Sequence, residues 1–205
     1  MATRVFQPVG GSADFVTEVV NPNTEWTVES FDYYFEFGAD KTNVKTDFIL
    51  PDQTKYVLSL NFQTSRTVNI ADLKIENVKW RKVPNYKDLA AKFNQFDFQN
   101  ITVLSSKKSG LSEKGAVANI RFDILNKTPS SFWEPRFIIL MYQRKALVGV
   151  SRVVLNDLKT GEKRTESFNL FQDLSDSVQV EIVPDINILD PNVFRSFDNY
   201  SGELK

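Results

Sequence analysis

Apolar and polar residues alternate with a period of two through most of this chain, as in strands with one buried face and one wet face. Phe31, Tyr33, Phe35 and Phe37 alternate with Asp32, Tyr34 and Glu36. Ala118, Ile120, Phe122 and Ile124 alternate with Asn119, Arg121 and Asp123, and Val178, Val180 and Ile182 with Gln179 and Glu181. The run from Phe137 to Tyr142 is apolar throughout and predicts a central strand covered on both faces. Turn formers separate these runs at Asn21-Pro22-Asn23, Gly38-Ala39-Asp40, Leu50-Pro51-Asp52, Lys159-Thr160-Gly161 and Val183-Pro184. Helical spacing is confined to the short stretch Tyr86–Phe93, with Leu89 and Phe93 four apart. The pattern predicts an all-β protein.

The two halves of the chain repeat one another. Asn21 closes the run from Thr17 to Val20, and Asn126 closes the run from Phe122 to Leu125. A polar turn, a tryptophan (Trp26, Trp133) and a long apolar strand follow each asparagine, which places the two indoles at matching positions. Residues 49–56 lie over 157–164; Tyr56, Leu58, Leu60 and Phe62 then run in phase with Arg164, Glu166, Phe168 and Leu170. Asn21 to Asn126, Leu50 to Leu158 and Leu73 to Val178 span 105, 108 and 105 residues, one register held over four strands. The expected organisation is a first β-sandwich over residues 1–84, a linker over 85–97, a second β-sandwich over 98–194 and a polar tail over 195–205. Pro84 and the short linker predict a restricted hinge.

Composition narrows the chemistry. In 205 residues, 25 Lys+Arg stand against 26 Asp+Glu, a net charge of −1, which argues against a nucleic-acid binder working by counterion release. There is no Cys and no His. Disulfides, thiolate zinc sites, iron–sulfur clusters, thiol nucleophiles and the Ser-His-Asp triad are therefore excluded. No run approaches the roughly 18 apolar residues that span a bilayer, and Met1-Ala-Thr-Arg4 lacks the apolar core of a signal peptide.

The second half resembles the FxLYD-type domain, itself similar to the late-embryogenesis-abundant type 2 fold. The resemblance is carried by Asn126 ending a strand, the run from Phe137 to Tyr142, Val148-Gly149 and Leu158-Lys-Thr-Gly-Glu162. Gln143-Arg144-Lys145 replaces the usual Tyr-Asp before the Gly turn. The first half resembles a tandem partner, through Val20-Asn-Pro-Asn23, the strand from Phe31 to Phe37, the segment from Phe48 to Tyr56 and Val78-Lys-Trp80. The pair is similar to envelope proteins of small-genome bacterial lineages. That resemblance spans roughly residues 5–194 and implies two immunoglobulin-like antiparallel β-sandwiches at a cell surface, membrane-anchored through a segment absent from this chain. It implies no reaction.

Without His or Cys, catalysis would fall to carboxylates, and Asp32 and Glu36 share a strand face with Glu29 nearby. A solvated strand face explains them better. Asp185, Asn187, Asp190 and Asn192 gather oxygen donors as a calcium loop does, without the Gly of the tight turn or a closing Glu, and read better as the last strand and its turn. No cofactor or metal is expected. Trp26 beside Glu25, and Trp133 beside Phe132, form the candidate ligand-binding positions, since aromatics on sandwich loops suit glycans and peptides. The competing reading has each indole plugging the end of its own core. Trp80-Arg81-Lys82 predicts a tryptophan buried at the junction of the halves. Three Asn-x-Ser/Thr sequons begin at Asn100, Asn126 and Asn199.

These observations lead to the expectation of a non-catalytic scaffold or interaction ectodomain, recognising an unknown protein or glycan through sandwich loops and strand edges. The alternative is a carbohydrate- or peptide-binding module using the Trp26 and Trp133 loops. A third class, a carboxylate hydrolase, would show turnover lost on Asp32→Asn or Glu36→Gln.

Overall fold

The computed structural model describes residues 2–7, 11–93, 95–105, 118–170, 174 and 177–195. Its strands are β1 (Arg4–Phe6), β2 (Ser12–Asn21), β3 (Trp26–Phe37), β4 (Asp40–Lys41), β5 (Lys45–Ile49), β6 (Gln53–Gln63), β7 (Asp72–Lys82), β8 (Phe96–Ser105), β9 (Ala118–Asn126), β10 (Arg136–Gln143), β11 (Ala146–Val154), β12 (Lys163–Leu170) and β13 (Gln179–Pro184). One helix, α1 (Tyr86–Phe93), falls where Leu89 and Phe93 predict it. Every strand pair is antiparallel. The sequon at Asn199 and all of the tail beyond Arg195 lie outside the described residues.

The strands form two clusters with one plan. In the first, the sheet β1-β2-β6 shares a core with a sheet in which β3 lies between β5 and β7, with β4 extending the β3 ladder. Ala13, Phe15 and Val57 come from one sheet of that core, and Phe31, Tyr33 and Phe35 from the other. In the second, β8-β9-β12 and β11-β10-β13 enclose Ile120, Phe122, Ile124, Phe137, Ile139 and Met141. The period-two residues of β3 and β9 thus point inward as their spacing requires.

A further core joins the clusters. Val16 and Leu58 on the outer face of β2-β6 pack against Ile138, Leu140 and Val150 on the outer face of β10-β11. Four sheets are therefore stacked, and this is why β10 is apolar at every position from Phe137 to Met141: Phe137, Ile139 and Met141 face one layer while Ile138 and Leu140 face the other. The segment between the clusters holds the packed helix α1. Tyr86 packs with Phe48 and Leu50, burial pushing its hydroxyl up to about 12, and Phe93 meets Phe194 of the second cluster at 5.1 Å.

Matching asparagines tie off the two clusters. Buried Asn21 donates through Nδ2 to the carbonyls of Trp26 (2.7 Å) and Leu50 (3.0 Å), while its Oδ1 accepts from the backbone N–H of Asn23 (3.1 Å). Asn126 donates to the carbonyls of Ser130 (2.9 Å), Leu158 (3.4 Å) and Lys159 (3.0 Å) and accepts from the N–H and hydroxyl of Thr128. Each amide side chain holds three chain segments at a strand end. The repeat departs from its expected phase at one strand. Asn21 stands opposite Gln53, whereas Asn126 bonds Glu162, so Lys55 and not Tyr56 occupies the place of Arg164.

Candidate functional site

The described surface carries one apolar groove bounded by two strand edges. On β7 a left-handed residue, Asn77 (φ 53°), shifts the alternation by one. Leu73, Ile75, Val78 and Trp80 consequently share the inward face despite their uneven spacing. Ile75 stands opposite Tyr33, and Trp80 opposite Val28, on β3. The facing sheet leaves this side uncovered, so Trp80 is 50% exposed and Ile75 and Val78 are similarly open. Val19, Val20 and Pro22 at the end of β2 form the other wall, with Phe31 and Ile49 at the floor, around 200 Å³. This corrects the expectation that Trp80 is buried at the junction of the halves. It lies in the open flank of the first cluster.

Trp26 and Trp133 are 44% and 47% exposed, so neither plugs a core. Nor do they match. Leu158 pairs with Phe132, while Leu50, its counterpart, neighbours Ile49, which pairs with Val28; Phe132 therefore corresponds to Thr27, and Trp133 to Val28. Phe132 is fully buried, against Phe96 (5.6 Å) and Phe194 (5.4 Å), and is itself the plug of the second core. It is removed from the exposed binding positions. Glu25, just before β3, pairs with Lys82 at 3.5 Å on the exposed surface. Trp133 lies under Arg195, whose guanidinium is 5.0 Å from the ring and is held by Asp157. It borders a 360 Å³ cleft with Phe48, Arg136, Asp185, Asp190 and Asn192.

The carboxylates noted in the sequence are each bonded across strands. Asp32 accepts from the Thr46 hydroxyl (2.6 Å) and Asn77 Nδ2 (2.8 Å), bonds that hold its carboxyl below the usual range. Asp123 repeats the arrangement with Thr165 (2.6 Å) and Asn100 (2.7 Å), with the same downward direction. Glu36 pairs with Lys74 at 3.3 Å and Glu29 with Arg81 at 2.6 Å. Of the calcium-like segment, Asp190 caps the turn Pro191–Val193 through the Asn192 N–H, whereas Asp185 turns inward to the buried ammonium of Lys55. Among the described residues no three acidic side chains gather as a metal site.

Sequence reasoning missed that buried cluster. Lys55 meets Asp185 of the second cluster and Asp47 (3.0 Å), lies 3.7 Å from the Phe48 ring centre, and shares Asp185 with Arg136 (3.8 Å). Two cations against two carboxylates leave it neutral. It locks the halves together.

Among the described residues no helix is long and apolar enough to cross a membrane. No protein-family model matches the chain, and neither does any curated sequence.

Proposed function

We propose that the chain is a non-catalytic interaction scaffold, a cell-surface ectodomain of two immunoglobulin-like sandwiches that recognises its partner through an exposed strand edge. The observation that carries this reading is β7, eleven residues long, with an outer edge bearing no strand among the described residues and an apolar face half open to solvent. An unpaired edge strand is open to pairing; charges at Asp72, Lys74, Glu76, Lys79 and Arg81 restrain it on the wet face, which leaves the apolar face of Ile75, Val78 and Trp80 to select a partner. The four-sheet stack behind β7 supplies the rigidity that recognition needs. The cell-surface location rests on the resemblance to FxLYD-type envelope proteins.

The exposed indole of Trp133, above a cleft bordered by Arg136, Asp190 and Asn192, favours a second reading in which loops bind a glycan or peptide. Binding of the labelled chain to envelope fragments, and to a glycan array, separates the two. Saturable fragment binding that Trp26→Ala/Trp133→Ala leaves intact is expected. Binding lost in that variant, with its circular dichroism unchanged, gives the function to the loops.

A further inference from the structure

The structure assigns a small-molecule site to the pocket between the turn at residues 50–54, α1 and the chain that follows β13. Its ligand is a free α-amino acid with a large apolar side chain. That side chain lies among the apolar walls, the ammonium donates to the Tyr86 hydroxyl oxygen and to Asp52, and the carboxylate meets Lys87. The site is separate from the β7 edge and does not depend on the interaction-scaffold reading.

Three segments far apart in sequence enclose this pocket, and each is fixed by bonds or packing of its own. Pro51 and the left-handed Asp52 (φ 51°) reverse the chain after Leu50. The Leu50 N–H donates to Gln53 Oε1 (2.8 Å) and the Asp52 N–H to the Asn23 carbonyl (2.8 Å), so this wall is held at both ends. Asp185 is drawn to Lys55, and its N–H donates to the Arg136 carbonyl (2.8 Å), which sets the chain from Val183 to Ile188 beside that turn. The third side is α1, anchored by Phe93 on Phe194. Together they surround about 360 Å³, walled chiefly by Leu50, Pro51, Phe93, Phe96 and Ile186. Pockets of about 300–1,000 Å³ at the junction of two packed units are the usual seats of small ligands.

A buried hydroxyl marks this pocket as a binding site. Tyr86 lines it and is only 8% exposed, yet its hydroxyl has no hydrogen-bond partner among the described residues. Buried polar groups are nearly always paired, so a ligand atom that pairs this one recovers what folding leaves unmet. Burial and the nearby Asp52 carboxylate keep the hydroxyl protonated at neutral pH. A neutral phenol oxygen beside an anion suits a cationic N–H donor, which is the ammonium group. Asp52 and Lys87 are exposed on the lining, and neither has an ion-pair partner among the described residues. One anion and one cation flanking an apolar pocket match a zwitterion, whereas a ligand with a single charge meets a like charge. The rings of Phe93 and Phe96 suit an aromatic side chain between them.

The probe is L-phenylalanine, titrated into the intact chain by saturation-transfer NMR, with hydrogen–deuterium exchange to locate it. A Kd on the order of 0.1 mM is expected for a ligand of about a dozen non-hydrogen atoms, with slowed exchange over residues 50–54 and α1. Phenethylamine, which lacks the carboxylate, and hydrocinnamate, which lacks the ammonium, bind about tenfold more weakly. Tyr86→Phe and Asp52→Asn each weaken L-phenylalanine about tenfold and leave hydrocinnamate unchanged; Lys87→Met weakens L-phenylalanine and leaves phenethylamine unchanged. A thermal melt checks that each variant is folded. No saturable binding up to about 10 mM, binding indifferent to all three substitutions, or equal binding of the amino acid and its two truncated analogues overturns the proposal. So does tighter binding of N-acetyl-L-phenylalanine amide, which gives the pocket to an internal segment of a peptide.

Discussion

At the scale of single residues, buried polar side chains do more to specify this fold than their number suggests. Asn126 serves five bonds from one amide, and removing it takes a donor from three carbonyls and an acceptor from Thr128. Asn126→Ala is expected to cost about 2–4 kcal/mol in urea unfolding, and the buried site excludes use of its sequon in the folded chain. Lys55 is the harder case, because two charges are taken from water to form its pair. Asp185→Asn is predicted to cost about 3–5 kcal/mol, and Lys55→Met/Asp185→Leu to recover most of that. A single variant no less stable than the parent would show that the pair contributes nothing. At exposed Asp32 and Asp123 the sign runs with acid. Their folded pKa values lie below the unfolded value of about 3.9, so their contribution is full above that range and is lost as pH falls through the folded values. Asp123→Asn should therefore flatten the acid limb of the stability profile, measured by urea midpoints between about pH 5 and pH 2.

Among the elements, alternation made β3, β9 and β13 legible, because each has one dry face and one wet face. The helix was legible too, from two apolar residues four apart. β10 could be read as central, but its second dry face belongs to an interface whose other half, Val16 and Leu58, lies in the first half of the chain. The groove had almost no signal. A bulge at Asn77 breaks the spacing that would have placed Val78 and Trp80 on one face with Ile75. The expected matching of Trp26 with Trp133 failed for a related reason. Two tryptophans look equivalent in a repeat, but backbone pairing aligns Leu50 with Leu158 and leaves the indoles two positions apart. The two aromatic settings predict opposite behaviour in thermal unfolding. Phe132→Ala, which empties a core position, costs about 3–5 kcal/mol; Trp80→Ser, half in solvent, changes stability by less than about 1 kcal/mol.

For the whole molecule, the shared core and the Lys55 cluster make the two halves one mechanical body. Trp26 and Trp80 report on the first cluster and Trp133 on the second. Fluorescence of Trp133 alone, in a Trp26→Phe/Trp80→Phe background, should follow the same urea transition as far-ultraviolet circular dichroism, because neither half can leave without baring Val16, Leu58, Ile138 and Leu140. Two separated transitions would return the molecule to independent domains. A rigid body with one open flank is what recognition by a strand edge requires, and the most direct test is a binding isotherm on envelope fragments. The parent, the Val78→Ser/Trp80→Ser variant and the Trp26→Ala/Trp133→Ala variant are compared at equal folded concentration. The account predicts that only the groove variant loses affinity, by about tenfold or more. Equal binding by parent and groove variant would contradict it.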